Sequence, residues 1–522
     1  MWLMPVSVRE WLPEGHLAFF VLDVVAELDL APFLQAYRLD GRGGAVYDPA
    51  MMLSVLLYGY CTGERSSRRI ERRLVEDVAY RVLAVNQCPD HATLARFRRR
   101  HQDAIAGLFG QVLALCVKAG LVEASVVAID GTKIAANASF FANRNREDLQ
   151  RLAGGILEEA EQADAAEDEL FGERRGDELP SEWAGGRGRR ERIRAALDEL
   201  DRQTSRDFES RIAERTEKEA ALGRRLTGPK PKADAARRAA PRRANTTDPH
   251  SRVIPQSSKG VWQGYNAQAA ATADQVVVAA KVTATTNDQT QFVPMTHAVT
   301  ENLADAGHDR RVGAFLADAG YWSAANGTTD VGAEVLIATR KSAWRKADKP
   351  DDDKLAVLAK VNRGELSQRK AGEILGVSYT WVRDMTKRYF GREGQRITRL
   401  AEPEPEQWLP VIERLARGEI SKRAAADELM VSNTRINAML AHLRGEAVDP
   451  AIARRAMDAK LAEQDNAQRY KKRGQMIEPV FGNIKANLGY QRFSLRSLPA
   501  VNSEWRLICT AHNLLKLQRA LA

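Results

Sequence analysis

Three acidic residues stand out by their surroundings. Asp130 closes the β-branched run SVVAI and precedes Gly131, Asp318 ends the apolar run VGAFLA, and Glu478 is the one acid in QMIEPVFGNIK. Carboxylates delivered by short rigid elements to one point can hold two divalent ions about 4 Å apart. Such a pair activates water or a 3′-hydroxyl and stabilises the leaving oxygen at a phosphodiester. Magnesium suits the task, because it takes hard oxygen ligands and keeps waters that a substrate phosphate can replace. Each acid also has a plainer reading. An Asp before Gly at a strand end is commonly a turn residue, and Glu478 with Lys485 could be an ion pair on a solvated helix face.

Around Glu478 the types are specific. Lys485 follows seven residues later, two helical turns on and above it, within reach of a phosphate beside the acids. Tyr490, Arg492, Phe493 and Arg496 come next, basic and aromatic residues of phosphate-binding type. Pro479 has no N–H and disfavours the α conformation in the residue before it, which places Glu478 at a helix start or kink.

The elements that must position these acids can be read in order. Residues 16–120 carry helical periodicity with breakers at Gly41–Gly44 and Asp48-Pro49. Asp90 or Thr93 caps a helix bearing Arg96, Arg98, Arg99 and Arg100, with Phe97 turned to the core. The strand ending in Asp130 opens a mixed α/β region. Charged helices interrupt it from Asn143 to Leu226, and a basic linker runs from Thr227 to Pro249. Strands GVWQGYNAQAAAT and QVVVAAKVTAT, a helix over Gln289–Ala306, the strand ending in Asp318 and the strand AEVLIATR complete it. Ser497–Gln518 reads as a helix packed on the sheet through Trp505, Ile508, Leu514 and Leu517, with Cys509 and His512 in the core.

Between Leu355 and Arg444 the sequence repeats itself at an offset of 54 residues, Gly364 aligning with Gly418. Each copy is a helix, a Ser cap, a short helix, and a third helix introduced by Val-Ser. That is helix-turn-helix grammar, in which the third helix can enter the major groove. Thr380 and Arg383 in the first copy, and Thr434 and Arg435 in the second, are base- or phosphate-contacting types. A helical bundle used for packing is the alternative.

Bulk properties bound the rest. A chain of 522 residues holds several domains. Its net charge of +9 despite 69 acids implies segregated charge and a polyanionic partner. Cys61, Cys88, Cys116 and Cys509 form no CxxC pair, which argues against a disulfide framework or a zinc site and for buried reduced thiols. No apolar run approaches the roughly 20 residues that span a bilayer. The first residues carry acids and Pro where a signal peptide needs an apolar core, so a cytoplasmic, nucleoid-associated protein is expected.

The motifs AIDGTKI, GYNAQ with downstream Asn287-Asp288, LADAGYWS, and Tyr470-x-x-Arg473 leading to Glu478 and Lys485 resemble bacterial insertion-sequence transposases of the DDE type. Residues 16–120 resemble that group's N-terminal domain. The resemblance implies an RNase H-like catalytic fold, a mixed sheet flanked by helices. Residues 1–120 would be an all-α DNA-binding domain. Residues 121–345 would form the first part of the catalytic domain, with a charged insertion at 141–246. Residues 346–450 would be an inserted tandem helix-turn-helix, and 451–522 the final catalytic helices.

By the same resemblance Asp130, Asp318 and Glu478 are the catalytic metal ligands for two Mg²⁺ ions, with Mn²⁺ able to substitute. Tyr470, Arg473 and Lys485 are DNA contacts. The expected partner is double-stranded DNA, as terminal inverted repeats and target, bound by a homodimer that pairs two ends. Here four residues separate Arg473 from Glu478 where the family signature has three, and the repeat segment interrupts the stretch between Asp318 and Glu478. A DNA-binding regulator with an inactive catalytic fold, and a metal-dependent nuclease without strand transfer, remain as alternatives.

Overall fold

The computed structural model describes residues 8–37, 46–154, 184–222, 243–256, 260–339, 352–362, 365–377, 379–389, 405–429, 431, 433–446 and 448–521. The chain divides into two compact units: residues 1–317, 330–336 and 464–522 form one, and residues 318–329 and 337–463 the other.

The first unit is built on a mixed sheet. In chain order the strands are β1 (Val126–Ala135), β2 (Asn143–Arg144), β3 (Ala244–Asn245), β4 (Arg252–Gln256), β5 (Gly260–Ala271), β6 (Val277–Thr283), β7 (Ala314–Ala317) and β8 (Glu334–Ile337). The main sheet runs β4-β5-β1-β7-β8, with β6 paired to β5 beside β4, while β2 and β3 form a separate small ladder. β1 is antiparallel to β5 and parallel to β7. β5 is buried continuously from Gln263 to Ala271, including Ala267, Ala269, Ala270 and Ala271. A strand without polar alternation must be covered on both faces. Helix Phe292–Asp305 packs on β5 and β6, helix Leu498–Leu521 on β6, and helix Gln464–Gly482 on β1, β5 and β7.

β4 was not apparent in the sequence, because Pro255 lies inside it. As the last strand of the sheet it has an edge where a missing N–H is tolerated. The outer edge of β6 is closed by side chains. Asn513 accepts from the Val277 N–H at 2.8 Å and donates to the Val277 carbonyl at 2.8 Å, and Asn502 accepts from the Val282 N–H at 3.0 Å.

Helices fill the N-terminal region as expected. Helix Pro49–Cys61, capped by Asp48, is buried along nearly its whole length, and it packs with helix Gln102–Lys118 against Leu498–Leu521. Asp90 caps helix His91–Arg100, and Phe97 is buried. Cys61, Cys116 and Cys509 are buried, and burial pushes the Cys61 and Cys116 thiols up to about 12. Cys88 departs from the expectation and is exposed.

Of the charged insertion, helix Ala184–Leu222 is described, and Leu149, Ile193, Ala196, Leu200 and Ala244 form its core. Its buried Glu199 is tied to Arg252 of β4 and to Arg202. Burial raises its pKa, but these guanidiniums outweigh the effect and hold the carboxyl below its usual range. The linker residues 227–242 lie outside the described residues.

Buried His512 yields a pH dependence. Its Nε2 faces the Gln275 carbonyl at 2.9 Å and must donate to it, so Nδ1 accepts from Asn483 Nδ2 at 3.1 Å and the ring is neutral. Burial, chiefly, lowers its pKa from 6.5 to about 4. Between those values the unfolded chain binds the proton and the folded one does not, so stability falls as pH drops through this window. The full effect is about 3 kcal/mol. Thermal unfolding from pH 7 to pH 4 is expected to show this loss in the wild type and a shallower one in His512→Gln.

The second unit contains two three-helix groups. Helices Asp352–Asn362, Gln368–Leu375 and Tyr379–Tyr389 enclose Leu355, Leu358, Ala371, Val382 and Met385. Helices Pro405–Ala416, Lys422–Glu428 and Asn433–Leu443 enclose Trp408, Val411, Ile412, Ala425, Ala426, Ile436 and Met439. The repeat offset maps Leu358, Ala371, Val382 and Met385 onto Ile412, Ala425, Ile436 and Met439, so the two cores are built from equivalent positions. Ser367 and Ser421 cap the second helices as expected; Ser378 and Ser432 lie outside the described residues. Among the described residues no helix is long and apolar enough to cross a membrane.

Candidate active site

Asp130 lies where β1 outruns one of its neighbours. The parallel ladder with β7 ends at Ile129 opposite Ala317, while the antiparallel ladder with β5 continues to Ala135. The next residue of β1 is Asp130, and the next residue of the chain after β7 is Asp318. Asp130 is thus in mid-strand rather than at a strand tip, which also removes the turn reading of Asp130-Gly131. Asp318 does close a turn, its Oδ1 accepting the Gly320 N–H at 2.8 Å.

Helix Gln464–Gly482 brings three side chains to this strand end. Arg473 donates to Asp130 Oδ2 at 3.1 Å, and its other terminal nitrogen stands 3.9 Å from Glu478 Oε1. Tyr470 donates from its hydroxyl to the Ala317 carbonyl at 3.1 Å, clamping the end of β7. Glu478 reaches toward Arg473 by leaning over Gly474, where an added Cβ would stand 3.2 Å from Oε1. Glu478 is not at a helix start: Pro479 lies inside the helix, which continues into a π-helical stretch, Asn483–Asn487. The Glu478 side chain is 68% exposed and that of Asp130 20%.

Lys485 belongs to the π-helical stretch and donates to the Lys133 carbonyl of β1 at 3.0 Å. Its contact is with backbone, not the surface ion pair of the plainer reading. Burial, and secondarily the charge of Lys133, lower its pKa.

One cluster escaped the sequence reading. Asp288 accepts from Asn266 Nδ2 at 2.6 Å, Gln268 Nε2 at 2.9 Å and Lys133 Nζ at 3.1 Å. It crowds Gly131, where an added Cβ would lie 2.4 Å from Gln268 Nε2 and 2.8 Å from Asp288 Oδ1. The signal was present as GYNAQ and Asn287-Asp288, to which no role was attached. Gly131→Ala is expected to destabilise by about 1–3 kcal/mol, as overpacking does, and to displace Asp130. Thermal unfolding of that variant checks the expectation.

The DNA-contact candidates are placed unequally. Arg96 is exposed, and with Tyr37, Tyr47 and Arg100 it lines an open cavity. Arg98 is part-buried and donates to the Arg65 carbonyl at 2.8 Å and to Ser67. Arg383 is exposed, whereas the Thr380 and Thr434 side chains lie outside the described ones. Arg435 is turned inward onto fully buried Asp449, which also caps helix Pro450–Ala462. Burial raises the Asp449 pKa, but Arg435 and the capping amides outweigh it and hold the carboxyl low. Tyr490 and Phe493 are core residues: Tyr490 stacks on Tyr60, and Phe493 meets Trp505 edge-on.

Asp130, Asp318 and Glu478 are hard oxygen donors of the kind magnesium takes, and the cation that stands against Asp130 and toward Glu478 here is the Arg473 guanidinium. Among the described residues no group of three His, Cys, Asp or Glu is drawn together tightly enough to hold an ion.

Comparison with known families matches both ends of the chain. A Transposase domain (DUF772) matches residues 6–100, and a Transposase DDE domain matches residues 442–518. The second span contains Tyr470, Arg473, Glu478 and Lys485; Asp130 and Asp318 lie outside it. Neither a curated protein nor a solved structure matches the chain.

Proposed function

We propose, from the premise that the chain is an insertion-sequence DDE transposase, that it cuts DNA at its element's ends and joins the freed 3′-hydroxyls to target DNA. The observation that carries this is Arg473 spanning Asp130 and Glu478 at the end of the β1–β7 ladder, with Asp318 next along the chain from β7. The sheet order, with β1 between an antiparallel β5 and a parallel β7, supports an RNase H-like catalytic fold.

Asp130, Asp318 and Glu478 would hold two Mg²⁺ ions, which when bound supply an activated oxygen nucleophile and stabilise the leaving oxygen. The chain's own groups do the remaining work. The β1 ladders fix Asp130, and Tyr470 fixes the end of the strand that leads to Asp318. Arg473 offsets the repulsion between carboxylates and is the guanidinium nearest a phosphate brought to them. Lys485, held against the Lys133 carbonyl of β1, adds a positive charge. The paired three-helix groups act as DNA-binding modules, Arg383 being an exposed contact. Two protomers pair the two ends.

The test is a strand-transfer assay with full-length protein, Mg²⁺ and duplexes carrying the element's terminal repeats. Joined products are expected. Cut but unjoined ends would favour the nuclease, and binding without cutting would favour the regulator.

A further inference from the structure

Pro479 leaves a gap in the helix that carries Glu478. It has no N–H, so the carbonyl of Gln475, four residues earlier, lacks its helical partner. The side chain of Gln275 takes that place, its Nε2 donating to the Gln475 carbonyl at 3.0 Å. Gln275 sits in the turn between β5 and β6 with φ +64°, a left-handed conformation in which Gly or Asn is the ordinary occupant. A glutamine there is explained by what its side chain holds.

The same residue is tied to the last helix. Its carbonyl accepts from His512 Nε2 at 2.9 Å, and its Oε1 accepts from Lys516 Nζ at 3.1 Å. His512 in turn receives Asn483, the first residue of the π-helical stretch that carries Lys485. Gln275 therefore links the sheet, the last helix and the irregular part of the helix that presents Glu478.

We infer that Gln275 is a positioning residue: its amide replaces the helical hydrogen bond that Pro479 removes, and so sets the direction in which Glu478 is presented. The inference rests on the reading of Glu478 as a metal ligand. It predicts a dependence between two residues distant in sequence. Pro479→Ala returns an N–H to the Gln475 carbonyl and makes the Gln275 amide redundant. Gln275→Gly removes the amide while relieving the left-handed backbone, so the turn itself is not weakened.

The experiment compares wild type, Gln275→Gly, Pro479→Ala and the double variant, all full-length. Mn²⁺ affinity is read by electron paramagnetic resonance, and backbone exchange over residues 476–482 by hydrogen–deuterium exchange. Gln275→Gly is expected to weaken Mn²⁺ binding and speed exchange by about fivefold each, the range of one lost hydrogen bond, with no loss of melting temperature. The double variant is expected to match Pro479→Ala in both. Equal effects of Gln275→Gly in both backgrounds, or unchanged exchange in the first, would overturn the replacement of the helical hydrogen bond by the Gln275 amide; the buried Met476, Ile477 and Val480 would then hold the helix alone. Faster exchange with unchanged Mn²⁺ affinity would overturn the positioning role. A wild type that binds no Mn²⁺ and cuts no DNA would instead overturn the reading of Glu478 itself.

Discussion

Asp130→Asn lowers Mg²⁺-dependent cleavage of the element's ends by about a thousandfold, roughly 4 kcal/mol of transition-state stabilisation. The substitution keeps the shape of the side chain. The Gly131 N–H meets Asp130 Oδ1 at 2.7 Å and Arg473 meets Oδ2, so the one oxygen of an amide keeps one of these contacts and gives up the other at a small cost in stability. What it removes is the negative charge a divalent ion needs, so the loss is expected in the chemical step and not in folding. Melting temperature and DNA affinity are expected to stay near wild type. Glu478→Gln should behave alike, and with less effect on stability, since the Glu478 side chain is far more exposed than that of Asp130. Single-turnover cleavage alongside gel-shift binding separates the two steps. A variant that cuts near the wild-type rate would remove its residue from the proposed ligand set.

Lys485→Met loses activity by a different route. Methionine fills the half-buried channel occupied by the lysine stem but carries no charge to a phosphate. Removing one charge-assisted contact is expected to slow cleavage by about 10- to 100-fold at limiting DNA. Excess DNA should recover part of the rate, and Mn²⁺ should bind as tightly as before. Lys485→Arg keeps the charge and should retain more activity than Lys485→Met. Because burial, reinforced by Lys133, lowers its pKa, Lys485 discharges below the 10.5 of a free lysine, and its contribution should fade there as pH rises. If Lys485→Met cuts like wild type at limiting DNA but melts earlier, the lysine serves only to pin the Lys133 carbonyl.

What could be read in the sequence follows from the range of the interactions involved. Strand β1 and Asp130 are legible because β-branched runs are local signals, and so are the Asp90, Ser367 and Ser421 caps, each of which acts within its own first turn. The repeat is legible because two copies of one packing problem solve it with equivalent residues, Ala371 and Ala425 among them.

The misreadings concern partners distant in the chain. Arg435 has the type and position of a groove-reading residue, yet Asp449 turns it inward. Tyr490 and Phe493 stand in a run of phosphate-binding types, but Tyr490 stacks on Tyr60 and Phe493 meets Trp505 edge-on in the core. Pro479 signals a helix start or kink by local rules and lies inside a helix, and the donor that meets the Gln475 carbonyl there belongs to Gln275, some two hundred residues earlier. Asp288 and the GYNAQ motif are both visible in the sequence, but their pairing is not, since the three donors come from β1 and β5.

The most direct measurement is a change of ligand softness at Asp130. Thiolate is a poor ligand for Mg²⁺ and a better one for Mn²⁺. Cleavage by Asp130→Cys should therefore be nearly absent in Mg²⁺ and restored by at least about tenfold in Mn²⁺, relative to wild type under the same ions. Asp130→Ala should not be rescued by either ion. If Asp130→Cys cuts equally well, or equally poorly, in Mg²⁺ and Mn²⁺, Asp130 does not hold a catalytic metal.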